Sequence, residues 1–263
     1  MLVLLLLKEM IKNQTELKNR DILQEVFLAS EDAARWRGSV SKLARHLAEP
    51  VVVTGSIAVH WHLLNNDVRR KMTHLNDIDV VVEGLPSLRT SLSQEFLIRH
   101  FHPHRGRGRI LIMLVDEEHR TRIDVFTPGS SSLAARFTEL ATEGFPCMVV
   151  SAEDLSAKLL SIIYPITSGE PVEPKYVESF RALSTVVDLE KVKNVWRDYR
   201  KEGQPLNFEE AAGAIWRSLT VHPDLLQIGH YNRDVNQTCP WCSKSELFPL
   251  ADLSKICNIL GYV

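Results

Sequence analysis

The sequence predicts an α/β (α+β) fold: a mixed sheet carrying helices over residues 1–150, then a helical region over residues 151–263. Three observations predict it. Short valine- and isoleucine-rich runs alternate with stretches of helical period, two strand-like segments flank the polar turn Asp116-Glu117-Glu118-His119, and beyond Val150 helical period dominates. With 263 residues and 44% apolar content, the chain has enough material for a substantial core.

From Asp21 to Leu47 the residues Ile22, Leu23, Val26, Phe27, Ala34, Trp36, Val40, Leu43 and Leu47 recur at helical spacing, which predicts two helices joined near Gly38 and closed by Pro50. Val51 to Val53 is a β-branched run, and after Thr54-Gly55-Ser56 the segment Ile57 to Leu64 reads as a helix. Gly55 therefore sits on a strand-to-helix turn. Asp77 to Val82 is the second strand, Gly84-Leu85-Pro86 punctuates it, and a helical stretch is expected from there to about Arg99. Arg109 to Val115 and Arg120 to Phe126 form the hairpin. In the helical region Ser151, Asp188 and Asn207 are N-cap residues, and Glu153 and Asp154 favour the first turn after Ser151.

Charge is balanced, with 31 Lys plus Arg against 33 Asp plus Glu, so no overall basic field recruits nucleic acid or an anionic membrane. The apolar run Leu2 to Leu7 has no basic segment before it and is too short to span a bilayer; it is read as a strand or helix turn packing on the core. Four cysteines without an export signal fit a reducing cytosol, so the expected location is cytoplasmic.

The chemistry concentrates on the strands. Side chains two apart on a strand point the same way, so Asp77 and Asp79 share one face while Ile78, Val80 and Val82 fill the other. Asp124 repeats the pattern singly between Ile123 and Val125, and adds a third carboxylate if its strand lies beside the first. Hard divalent cations such as Mg²⁺ take oxygen ligands of this kind, next to a substrate phosphate. Gly55-Ser56 offers exposed backbone N–H groups at a helix N-terminus, where a phosphate can approach.

These residues, Gly55-Ser56, then Asp77-x-Asp79, then a lone Asp124, resemble the signature of the polymerase-beta-type nucleotidyltransferase superfamily. Within it the stretch from Val51 to Trp196 looks most like the bacterial abortive-infection toxin nucleotidyltransferases, whose third Asp strand is followed by a lysine-bearing helix much like Ser151-Ala-Glu-Asp-Leu-Ser-Ala-Lys158. The gap from Gly55 to Asp77 is longer than the compact motif, and Asn76 precedes the first Asp. The resemblance implies transfer of a nucleoside monophosphate from a nucleoside triphosphate such as ATP to an RNA or tRNA, protein or small-molecule acceptor. It implies two Mg²⁺ ions on Asp77, Asp79 and Asp124, Lys158 on the triphosphate, and a cognate antitoxin as partner. The competing expectations are a non-catalytic nucleotide- or RNA-binding module on the same fold, and an enzyme that modifies a small molecule such as an antibiotic. Three mutually repelling carboxylates argue against the binding module, which has no use for them.

Other features have blander readings beside the functional ones. The stretch His100 to Arg109 concentrates three histidines and three arginines, as a solvated loop or a grip on a polyanion. His60 and His62 flank Trp61 on the helix after the Gly-Ser turn, either lining the site or, as the blander expectation, packed or exposed without chemistry. Cys239-Pro240-Trp241-Cys242 is a turn that presents two thiolates, with His230 and then Cys257 or His222 as further ligands for a structural Zn²⁺; inert or reducible thiols are the equal alternative and a redox role the lesser one.

Overall fold

The structure is a computed structural model that describes residues 28–68, 74–101, 110–128, 136–140 and 145–228. Its centre is a seven-stranded mixed sheet. The strands are β1 (Val51–Thr54), β2 (Asp77–Val81), β3 (Leu97–Phe101), β4 (Ile110–Asp116), β5 (Thr121–Phe126), β6 (Thr138–Leu140) and β7 (Cys147–Val149), in the order β3-β4-β5-β2-β1-β7-β6. The mixed sheet with helices is the fold class expected from the sequence.

All of β1 is buried, without the alternation of a half-exposed strand, as suits a strand covered on both faces. It pairs antiparallel with β2, aligning Thr54 with Asp79, and parallel with β7. On its other side β2 runs parallel to β5, aligning Asp77 with Arg122 and Asp79 with Asp124. The hairpin β4–β5 turns through Glu117 to Arg120, and Arg120 takes the left-handed φ of 51° that closes it.

Helix α1 (Ser30–Ala44) runs unbroken through Gly38, where two helices were expected. The glycine is there for packing: a Cβ on it would lie 2.1 Å from Nε2 of His119 at the hairpin tip. Helix propensity lost at one glycine is only about 1 kcal/mol, which the contact offsets. Trp36, Val40 and Leu43 of α1 are fully buried, and Asp32 accepts the N–H of Leu75 at 3.1 Å, fixing the entry to β2 two residues before Asp77.

Helix α2 (Gly55–Asn65) follows β1 directly. The helical stretch expected up to Arg99 is instead a 3₁₀ turn (Leu85–Ser87), the single turn α3 (Leu92–Glu95) and the strand β3. Pairing with β4 overrides local propensity there, since Ile98 and Phe101 bury against the sheet. After β7 come α4 (Ala152–Ile163), α5 (Pro174–Leu183), α6 (Leu189–Tyr199) and α7 (Phe208–Val221). The caps form as expected: Ser151 accepts from the N–H of Asp154, Asp188 from Glu190 and Asn207 from Glu210. One apolar core joins β1 and β2 to α2, α4, α6 and α7. No helix among the described residues is long and apolar enough to cross a membrane.

Candidate functional site

The register brings the three predicted carboxylates onto one face of two adjacent strands. Asp77 and Asp79 lie on β2, Asp124 lies beside Asp79 on β5, and the opposite face carries Ile78, Val80, Ile123 and Val125, all fully buried. That apolar face is what fixes the polar one, because slipping a strand by one residue would bury the carboxylates in the core.

Gly55 closes the site from the next strand. It starts α2 with a left-handed φ of 68°, and a Cβ there would sit 1.8 Å from Oδ2 of Asp79. Glycine is thus required twice, by its backbone angle and by the carboxylate lying against it. Ser56 follows, exposed on the first turn of α2. Lys158 reaches in from α4, with its ammonium 4.7 Å from the ring centroid of Phe126 on β5. Burial lowers its pKa and the negative charge of Asp79 opposes that shift.

The electrostatics are those of an acidic site short of positive charge. Burial first, then the neighbouring Asp77, push Asp79 up to about 7, with Lys158 and Arg122 pulling the other way. Burial likewise pushes Asp124 up to about 6 despite Arg122. Asp124 is 5% exposed, and its Oδ1 is buried without a hydrogen-bond partner. An orphaned carboxylate oxygen costs about 1–3 kcal/mol or more, so it marks a group built for something other than stability. An all-carboxylate set in which burial raises Asp79 and Asp124, and in which one buried oxygen is spare, fits a hard divalent cation such as Mg²⁺.

The residue that sequence reasoning missed is Arg122. Its Nη2 donates to Oδ2 of Asp77 and lies 3.3 Å from Oδ2 of Asp124. The signal was present in the alternation, since position 122 shares a face with position 124 two residues on.

A second acidic cluster occupies the hairpin tip. Among the described residues, Asp116, Glu118 and His119 form the one group of three or more such side chains whose ligand atoms all lie within 4.8 Å of one another. Its donor set is compatible with a divalent cation, but a cation is already built in. Nζ of Lys42 sits 3.0 Å from Asp116 and 3.2 Å from Glu118, Ser39 donates to Asp116 at 2.9 Å, and Nδ1 of His119 is 2.8 Å from the same carboxylate. This network clamps α1 to the hairpin.

The remaining expectations resolve variously. His62 is buried with Nε2 2.7 Å from the carbonyl of Val150, and burial lowers its pKa, so it is a neutral strut between α2 and the end of β7. His60 is half-buried on the same helix. Leu2 to Leu7, residues 102–109, and the candidate zinc ligands His230, Cys239, Cys242 and Cys257 lie outside the described residues; His222 is exposed at the end of α7.

No protein-family model and no curated protein matches the chain. One solved structure is similar, an antigenic nucleotidyltransferase-like protein from Paracoccidioides brasiliensis, with 17% identity and a TM-score of 0.36 over 74% of this chain and 91% of that one. At that distance the likeness carries no argument, and the functional reading rests on the site itself.

Proposed function

We propose that the protein is a divalent-metal-dependent nucleotidyltransferase, with Asp77, Asp79 and Asp124 holding Mg²⁺ and Gly55, Ser56 and Lys158 receiving the triphosphate of a nucleotide such as ATP. The observation that carries this is the alignment of Asp79 with Asp124 on adjacent strands, with the Asp79 carboxylate lying against Gly55 at a helix N-terminus. Carboxylates, free amides and an ammonium converge there, as a bridging cation between protein and phosphate requires.

Bound Mg²⁺ would neutralise the triphosphate and hold its α-phosphate for in-line attack. The chain's own groups do the rest. The first-turn amides of α2 and the Lys158 ammonium bind the phosphates, and Lys158, fixed over Phe126, holds its charge at a defined place. An acceptor hydroxyl oxygen forms a bond to the α-phosphorus, the bond from that phosphorus to its bridging oxygen breaks, and pyrophosphate leaves. The hydroxyl proton passes to Asp124, which keeps a buried oxygen that no protein group occupies.

The acceptor is RNA, tRNA, a protein or a small molecule, and toxin-like pairing with an antitoxin is part of the same proposal. Incubation with Mg²⁺, each labelled nucleoside triphosphate in turn, and RNA, protein or small-molecule pools is expected to move label from the α-phosphate position onto one acceptor. Asp79→Asn and Asp124→Asn should abolish it. Transfer that survives in either variant would sink the reading.

A further inference from the structure

Arg122 stands on the carboxylate face of β5, in register with Asp77 and one pleat from Asp124. Through one nitrogen its guanidinium touches carboxylates on two strands. It claims an oxygen on each of Asp77 and Asp124, and leaves the buried Oδ1 of Asp124 unpartnered. The side chain is nonetheless 46% exposed, so it can swing away without opening the core. A divalent ion held by the same carboxylates would place like charges side by side in a partly desolvated site, where their repulsion is several-fold stronger than in water.

We propose that Arg122 is a displaceable counter-ion of the acidic site: it holds Asp77 and Asp124 together in the cation-free protein, and it must leave them before both can ligate a divalent cation. This rests on the reading of Asp77, Asp79 and Asp124 as the cation site. Cation affinity is then set by competition with a side chain of the protein itself. A half-exposed ion pair is weak against a divalent ion, so Arg122 lowers affinity without abolishing it.

The test is calorimetry with Mn²⁺ alone at pH 8 on the wild type, Arg122→Gln, Arg122→Ala, Arg122→Lys, Asp79→Asn and Asp124→Asn, with a melting curve for each, with and without Mn²⁺. Removing the guanidinium is expected to tighten Mn²⁺ binding by roughly 2- to 5-fold. Arg122→Lys, which keeps the charge, should stay near the wild type. Without Mn²⁺ the Gln and Ala variants should melt below the wild type, and they should gain more from Mn²⁺ than it does. Equal or weaker Mn²⁺ affinity in both uncharged variants, with binding lost in Asp79→Asn and Asp124→Asn, overturns the counter-ion role and leaves the cation site standing. Mn²⁺ binding untouched by Asp79→Asn and Asp124→Asn overturns the site and the role of Arg122 together.

Discussion

A cation bound by Asp79 and Asp124, as proposed, would displace protons, and the raised pKa values set how many. With Asp79 near 7 and Asp124 near 6, both carboxylates are ionised together in roughly one molecule in twenty at pH 6 and about nine in ten at pH 8, if they titrate independently. Apparent Mg²⁺ affinity should therefore rise on the order of 20-fold between those limits, with about one to two protons released per binding event at pH 6. Without cation the sign runs the other way for stability. A carboxylate whose folded pKa is raised contributes stability that is full below its unfolded pKa near 4 and is lost as pH rises through 6 to 7. Lifting the Asp79 carboxyl from its ordinary range to about 7 corresponds to about 4 kcal/mol at most, and its half-buried position beside Lys158 brings that nearer 2 kcal/mol. Calorimetry in two buffers of different ionisation enthalpy counts the protons, and denaturant titration at pH 5 and 8 reads the stability. Affinity that stays flat across this range, or binding without proton release, would refute the reasoning.

Asp79→Asn should flatten the pH dependence of metal-free stability between pH 4 and 8 and raise it above pH 7 by about 2 kcal/mol, as read by urea unfolding. Gly55→Ala combines a left-handed φ with a collision against Asp79, so it should cost at least 1–2 kcal/mol (roughly) and remove cation binding, measured by melting temperature and calorimetry. Lys158→Met removes the positive neighbour that opposes the upward shift of Asp79; nucleotide binding in Mg²⁺ should weaken about 10-fold or more, and cation binding should need a higher pH. Lys42→Met takes the ammonium from the fully buried Asp116 at the hairpin tip, leaving only Ser39 and His119 on it, and should cost up to about 3 kcal/mol, while cation affinity at the Asp79 site stays near wild type if the chain folds.

The carboxylate-bearing strands were legible because two physical patterns agree there. Alternation placed Asp77, Asp79 and Asp124 on faces, and apolar residues between them fixed which face was buried. The turn glycine was legible as a turn, but its tighter duty, making room for the Asp79 carboxylate, depends on the Thr54 to Asp79 register that no local pattern encodes. The errors share that cause. Gly38 reads locally as a break, and only the hairpin tip arriving from far along the chain explains a glycine inside a helix. Leu97 to Phe101 has no strand signal strong enough to beat the helical reading of its neighbours, and becomes a strand because β4 offers an unpaired edge. Strands β6 and β7 are three residues each, too short for any period to show.

The sheet carries two acidic clusters, and their contrast explains why one is the candidate site although the other is the tighter group. At the hairpin tip burial alone would push Asp116 up, but hydrogen bonds from Lys42, His119 and Ser39 outweigh it and hold its carboxyl below the usual range. Lys42 is raised in turn by Asp116 and Glu118 against its own burial. Each member there is stabilised by the others, so a metal ion would have to evict a buried ammonium to gain three ligands. Around Asp79 the balance is inverted. Burial and like charge dominate, both carboxylates sit well above their ordinary range, one buried oxygen has no partner, and the nearest guanidinium is half-exposed and only partly compensates. Stability is lost around Asp79 and gained at the hairpin tip. Proximity of ligand atoms therefore selects the structural clamp, whereas unmet charge selects the place where the proposed cation and nucleotide phosphates would complete the electrostatics.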